Sequence, residues 1–366
     1  MKPPYTQEDF KHSPFLVFYE VTRACDLLCK HCRAYAQPKR HPLELTTVQS
    51  KALLDQLAAF PKRPLLVITG GDPMKRADIY ELIEYAVASG LQVALTPSAT
   101  PLVTPDAVAA LRRAGVSRLA VSLDGVDAET HDTFRGVPGS YARTLRIIAD
   151  AHTVGLPVQV NTTITQRNVH QVDALAELLA TQGIVLWSVF FLIPVGRGRA
   201  EERIPAAQYE AVFEQLWDHA RRQPYGIKTT EAHHYRRFVL QRQGDPQRNP
   251  DGARDRIQRA PLGVNDGKGV MFVGHTGRIY PSGFMPIPCG RFPDDSVIDI
   301  YQSNLTFQAL RDGDRLHGKC GACEYRHICG GSRARAYAVT GDPLAAEPDC
   351  VYIPSEWKEE RVACSA

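Results

Sequence analysis

Six short apolar segments alternate with helical patterns along the first half of the chain, and this alternation constrains the fold more than any other feature. The segments are FLVFYEVT (15–22), PLLVITGG (64–71), LQVALT (91–96), SRLAVSLDG (117–125), LPVQVNTTIT (156–165) and GIVLWSVFFLIP (183–194). The helical patterns fall at 46–60, 77–89, 104–115, 140–155 and 168–183. Several open on Ser, Thr, Asp or Asn and several stop at Gly, as caps require. Strands separated by helices pair in parallel, because a parallel connection needs a long crossover, so the pattern predicts a helix-covered parallel sheet. No G-x-G-x-x-G follows the first strand, which removes the main support for a dinucleotide-binding open sheet. The polar clusters TGGDP, TPS, SLDG, NTT and PVGRG all stand at the C-terminal ends of strands. In a barrel or partial barrel that edge is the active-site rim.

After Gly198 the pattern changes. A further amphipathic helix spans 204–222, and the polar, Pro- and Gly-bearing stretch 241–256 reads as a mobile loop or lid. A cysteine-rich region begins near Ala260, where GVMFVGHTGRIYPSG reads as a hairpin with His-Thr-Gly at its turn. The expected division is an N-terminal segment (1–14), a barrel (15–200), a helix and linker (201–259) and an auxiliary region (260–366). The longest apolar run, 184–195, is too short for a membrane span of about 20 residues. The N-terminal stretch shows no apolar core of a secretory signal. A net charge of +3 is too mild to imply nucleic acid, and the densest basic group, RRFVLQRQ from Arg236, reads as a solvated helix face. A cytoplasmic protein with no membrane and no nucleic-acid partner is expected.

The chain has nine cysteines and no visible export signal, which disfavours structural disulfides. Seven fall in two groups. The first, Cys25, Cys29 and Cys32, is spaced C-x3-C-x2-C just after the first predicted strand. A cubane [4Fe-4S] cluster normally takes four thiolates, so three leave one iron open to chelate a small molecule through an amine and a carboxylate. A closed zinc site, the alternative, needs a distant fourth ligand.

This motif resembles the signature of the radical S-adenosylmethionine (SAM) superfamily. The resemblance implies a partial (β/α)6 barrel, SAM bound on the open iron, and reductive cleavage to a 5′-deoxyadenosyl radical that takes hydrogen from a substrate. It implies an external reductant such as flavodoxin or ferredoxin. Gly70, Gly71 and Asp72 in TGGDP are similar to the family's G-G-E-P, with Asp for Glu, and imply a backbone edge for the methionine ammonium group. Ser122 in SLDG is implied as a SAM contact, and Arg135 in HDTFRG as the partner of the methionine carboxylate. Ser98 and Asn161 stand where ribose-binding groups fall, the backbone at Leu192 and Ile193 borders adenine, and His31 supplies an aromatic ring. Read as residues alone, Ser98, Ser122 and Asn161 serve equally as strand-end hydrogen bonders. Likewise GGDP passes for a turn and Arg135 for a salt-bridge partner.

The second group, Cys320, Cys323, Cys329 and Cys350, is spaced C-x2-C-x5-C-x20-C. It resembles the SPASM domain, a small SPASM/twitch-like extension that typically carries two auxiliary [4Fe-4S] clusters. Ser332, Ser282 and the neighbourhood of Pro261 stand where cysteines of the other cluster are usual, which implies one auxiliary cluster. Its task is to relay an electron or to brace the region. The spacing also fits a zinc ribbon. Cys289 reads as a buried thiol, with service to a second cluster or a place in the active-site lining as the alternatives, and Cys364 as a free thiol.

The tail from Cys323 to Cys350 is closest in appearance to proteins of alternative haem and haem d1 biosynthesis. That implies a tetrapyrrole substrate and oxidative decarboxylation or side-chain removal, with Arg333 and Arg335 either pairing with its carboxylates or serving the structure. The alternative is a maturase of ribosomal peptides, mildly disfavoured because 14 N-terminal residues are too few for a winged peptide-binding domain. A further alternative is a non-catalytic iron–sulfur electron carrier or a zinc-braced binding protein, either of which predicts no SAM cleavage.

Overall fold

The computed structural model describes residues 5–243 and 263–357. Strands β1 (Leu16–Glu20), β2 (Leu65–Thr69), β3 (Gln92–Leu95), β4 (Arg118–Ser122), β5 (Val158–Ile164), β6 (Leu186–Phe191) and β7 (Gly226–Thr230) pair in parallel in chain order. The intervening helices are α1 (Thr47–Ala58), α2 (Ile79–Ala88), α3 (Pro105–Arg113), α4 (Ala128–Arg135), α5 (Ser140–Thr153), α6 (Val172–Thr181) and α7 (Ala206–Arg222). The result is a partial (β/α) barrel whose sheet stays open, with β7 at one edge.

Local sequence explains the helix ends. Thr46 and Gln49 form a reciprocal capping box at α1. Thr104 caps α3 ahead of Pro105. Asp127 caps α4, which ends at Gly136 with φ +73°.

Side-chain alternation sets up the site. Along β5, Val158, Val160, Thr162 and Ile164 are buried, while Gln159, Asn161 and Thr163 line an internal cavity. The outward set joins Leu53, Leu57, Leu82, Ile147 and Leu175 of the helices in one hydrophobic core. Each such Leu or Ile contributes about 1.5–3 kcal/mol by its burial. A parallel sheet covered on both faces reads as continuous apolar runs. Here the inner face carries polar residues, and the lumen is open instead of filled by packed layers.

Three features depart from the sequence reading. Strand β7 and helix α8 (His234–Gln243) occupy part of the stretch expected as helix and linker. The strand GIKTT is short, only Ile227 of it is buried, and it carries no apolar run to announce it. Second, strand β8 (Val270–Val273) of the cysteine-rich region pairs in parallel with β1, Leu16 facing Val270. The expected hairpin exists, β8 antiparallel to β9 (Arg278–Tyr280) with β10 (Gly290–Arg291) beyond, but it extends the barrel sheet across the expected boundary. Third, RRFVLQRQ is helical but not a solvated face: Arg237 is buried in α8 and paired with Glu210 at 3.1 Å. Of the expected lid at 241–256, residues 241–243 complete α8 and the rest lie outside the described residues. The chain continues through α9 (Val297–Ser303), α10 (Leu305–Arg311), α11 (Gly318–Gly321) and α12 (Arg333–Thr340). Among the described residues no helix is long and apolar enough to cross a membrane.

Candidate active site

The first cysteine group sits on the loop between β1 and α1, closed at its base where Cys25 N donates to the Gln37 carbonyl at 2.8 Å. Two other strand-end loops and the end of α4 pin it through backbone. Gly71 N and Asp72 N donate to the carbonyls of Thr22 and Ala24 at 2.8 and 2.7 Å. At the end of α4, the carbonyls of Arg135 and Phe134 accept from Leu28 N and Lys30 N at 3.1 and 3.0 Å. After β6, Arg197 N donates to the Cys32 carbonyl at 3.0 Å, and the Arg197 guanidinium donates to the carbonyls of Cys29 and Ala36. The strand-end motifs thus act first on one another. The glycines Gly70 and Gly71 are required here, since a Cβ on either would sit 2.4–2.5 Å from the Thr22 or Ala24 oxygen.

All eight cysteines among the described residues are unbridged. Cys25 and Cys29 are buried, 5% and 8% exposed, and Cys32 is half-buried. Burial pushes the Cys25 thiol up to about 11 and raises Cys29 as well. Buried neutral thiols are poor nucleophiles, and coordination to a metal deprotonates them. Each sulfur faces a donor: Leu27 N to Cys25, Ala36 N to Cys32, and Arg135 Nη1 to Cys29 at 3.7 Å. Such donors stabilise thiolate ligands. Among the described residues no three His, Cys, Asp or Glu side chains are placed to hold a single metal ion between them. A multi-iron cluster makes a different demand, each thiolate binding its own iron.

A cavity of about 1420 Å³ runs through the barrel from the strand starts to their ends. Gly70, Gly71, Ser98, Ser122, Arg135 and Asn161 line it together with the three cysteines. His31 and Leu192 do so too. Asp72 does not: it is fully buried, and its carboxylate accepts from Thr100 Oγ1 at 2.7 Å and Met74 N at 3.1 Å. What the GGDP loop offers a ligand is therefore backbone. Ser98 donates to the Gly71 carbonyl at 2.7 Å and lies 3.4 Å from Cys25 Sγ. Asn161 accepts from Gln159 at 2.7 Å. The Arg135 guanidinium is ion-paired with buried Asp124 besides facing Cys29. His31 stacks on Phe134 at 4.2 Å and 7°, and burial holds its ring well below the usual histidine range.

Cys320, Cys323, Cys329 and Cys350 line a second, small cavity with His234, Arg237 and Lys319. Glu347 N donates to Cys320 Sγ at 3.2 Å and Gly331 N to Cys329 Sγ at 3.4 Å. Burial pushes Cys323 up to about 12. Four converging thiols with cationic neighbours suit one closed cluster. Ser332 and Ser282 are committed elsewhere. Ser332 caps α12 and donates to Glu231, while Ser282 hydrogen-bonds Asp266. Glu231 and Asp266 are themselves hydrogen-bonded and line the large cavity. Cys289 packs in the main core, its thiol 3.5 Å from the Ile287 carbonyl. Cys364 and Pro261 lie outside the described residues.

Arg333 and Arg335 serve the structure. Arg335 is fully buried, 3.1 Å from both Glu347 and Asp349, and Arg333 donates to the carbonyls of Pro343 and Ala345. Neither lines the large cavity. The sequence reading missed Arg33, Arg236, Glu231 and Asp266, all of which do. Glu231 closes β7 and would have been flagged by the strand-end rule had that strand been legible. Its φ of +60° is a costly conformation for a non-glycine residue.

The profile of the Radical SAM superfamily matches residues 19–179. The chain is 40% identical over 358 residues, 96% of each chain, to the AdoMet-dependent heme synthase of Nitratidesulfovibrio vulgaris. Identity falls to 28%, over 93% of this chain and 83% of the other, for the mycofactocin maturase MftC of Mycolicibacterium smegmatis. Among solved structures, Streptococcus suis SuiB bound to S-adenosylmethionine superposes with a TM-score of 0.73 at 16% identity, covering 93% of this chain and 78% of that one.

Proposed function

This chain belongs to the radical SAM superfamily and is a radical SAM enzyme, and on that premise we propose that it modifies the carboxylate side chains of a tetrapyrrole by oxidative decarboxylation or side-chain removal. The carrying observation is the cavity. Ordinary small-molecule pockets measure about 300–1,000 Å³, and 1420 Å³ leaves room for a nucleoside-bearing cofactor and a large second ligand. Guanidinium groups in its wall, those of Arg33 and Arg118, suit a polycarboxylate. The full-length likeness to a heme synthase supports this reading over the more distant peptide maturases.

When bound, the cluster and SAM supply a carbon radical able to remove a hydrogen atom from an unactivated C–H bond. In this reading Cys25, Cys29 and Cys32 would hold the cluster, and the apolar side chains of Leu27, Ala36 and Val137 packed about them would shield it from water. The backbone edge at Gly70 and Gly71 takes the ammonium group of SAM. Ser98, Ser122 and Asn161 supply hydrogen bonds to its polar atoms, while His31 and Leu192 border the adenine. Arg135, tied to Asp124, presents positive charge beside Cys29. Cys320, Cys323, Cys329 and Cys350 hold one auxiliary cluster, in a region that begins near residue 260. A flavodoxin or ferredoxin delivers the electron.

The test offers the anaerobically reconstituted protein two deuterated substrates, a porphyrin labelled in its propionate side chains and a leader-bearing peptide, with SAM and dithionite. Deuterium in 5′-deoxyadenosine from the porphyrin alone supports the reading. Deuterium from the peptide alone, or from neither, overturns it.

A further inference from the structure

Arg33 follows Cys32 directly, and the structure gives its side chain a fixed place in the cavity wall. Gly196, at φ +64°, approaches the carbonyls of Cys32 and Arg33 so closely that a Cβ would lie 2.3 and 2.5 Å from them, which locks the backbone. The side chain then passes Gly283, where a Cβ would meet Arg33 Cδ at 3.2 Å. The guanidinium lies 4.6 Å over the Phe272 ring, and Nη1 donates to Glu20 at 3.1 Å. Glu20 is 1% exposed and is also held by His275 Nδ1 at 2.8 Å and by Arg23. One face of the guanidinium is therefore stacked and one corner tethered.

The remaining donors matter. Among the described residues Nη1 is the one atom of this guanidinium with a hydrogen-bond partner, yet its other donors are not sealed in the protein interior. The side chain is 17% exposed and lines the cavity. Two other guanidinium groups of the wall are differently placed. Arg135 is spent on Asp124 and Cys29, and Arg236 donates to the carbonyls of Ile328 and Val264 at 3.0 and 2.6 Å. A planar fork with a free edge, immobilised in advance, is the arrangement that binds a carboxylate bidentately at low entropic cost.

We propose that Arg33 is the anchor for the substrate carboxylate belonging to the side chain that reacts. Glu20, which holds the guanidinium, is the last residue of β1 before the cysteine loop, so a carboxylate gripped by Arg33 lies toward the cysteine-loop end of the cavity. The assignment rests on the tetrapyrrole reading for the identity of that carboxylate. Tethering by Glu20 fixes the fork, and stacking on Phe272 keeps it from turning away.

The test measures binding to the reconstituted protein by Soret absorbance, with an iron porphyrin bearing propionate side chains and with its methyl ester. Arg33→Gln is expected to raise Kd for the free acid by at least about tenfold, the loss typical of a charge-assisted contact. Arg33→Lys, which keeps the charge against Glu20 but lacks the fork, is expected to fall between Arg33→Gln and the parent. The ester is expected to bind the parent protein and Arg33→Gln with equal Kd. Equal losses for acid and ester would assign Arg33 to the fold alone and overturn the proposal, as would no loss for either. If Arg33→Gln does not fold, the acid-to-ester contrast in Arg33→Lys decides. A parent protein that binds neither compound overturns the tetrapyrrole reading itself, and this assignment with it.

Discussion

The carbonyl oxygen of Cys32 accepts the backbone amide of Arg197 at 3.0 Å, joining the cysteine loop to the loop that follows β6. The side chain of Arg197 repeats the link through the carbonyls of Cys29 and Ala36. The geometry of three thiols thus depends on a segment more than 160 residues away.

Gly196→Ala tests that dependence. The new Cβ would stand 2.3 Å from the Cys32 oxygen, in a backbone conformation that disfavours it. Iron bound at the first cysteine group is expected to fall at least severalfold while far-UV circular dichroism stays that of the parent. Iron and sulfide assays on a variant that also lacks Cys323 isolate that group.

The two cysteine sets are expected to separate by product. Cys29→Ala should abolish 5′-deoxyadenosine formation. Cys323→Ala should still form it but lose turnover of the substrate. Loss of deoxyadenosine in both variants would merge their roles, and chromatography of quenched reactions reads it directly.

Arg335 is a stability residue. It and Glu347 are both fully buried, with Asp349 beside them. Arg335→Ala leaves the buried Glu347 carboxylate without its cation, Asp349 keeping Arg203 at 3.5 Å, and is expected to cost about 3–5 kcal/mol in urea unfolding.

Glu231 and Asp266 carry a pH signature. Burial, and then the charge of Asp266, pushes Glu231 well above the usual carboxylate range, and burial raises Asp266 too, against the pull of Arg335 on Glu231 and of Arg333 on Asp266. The folded pair therefore keeps a proton that the unfolded chain releases. Its stabilisation is full below the ordinary carboxylate pKa and is lost as pH rises toward the raised value. The urea midpoint of the parent relative to Glu231→Gln is expected to fall as pH rises through the range above the ordinary carboxylate pKa. A constant difference across that range would show that the pair does not share a proton.

Much of this was readable from the chain alone. The spacing of Cys25, Cys29 and Cys32, the alternation along β5 and the caps at Thr46 and Thr104 are relations between near neighbours, and near neighbours are what periodicity and spacing report. The six strands and the placement of Ser98 and Ser122 at strand ends were legible for the same reason, whereas Asn161 stands in the middle of β5. The role of Asp72 was not: its sequence position resembles a ligand loop, but Thr100 and Met74 claim its carboxylate.

Tertiary structure decided the rest. Strand β7 is recognisable by its pairing with β6, and β8 joins β1 across 250 residues of chain. Arg33 looks like any arginine beside a cysteine until Glu20, Phe272 and Gly283 hold it at the cavity wall. Arg335 looks like a free cation until Glu347 and Asp349 bury it. In each case the deciding partner is distant in sequence, and the burial it imposes on a charge settles whether that charge serves the fold or faces a ligand.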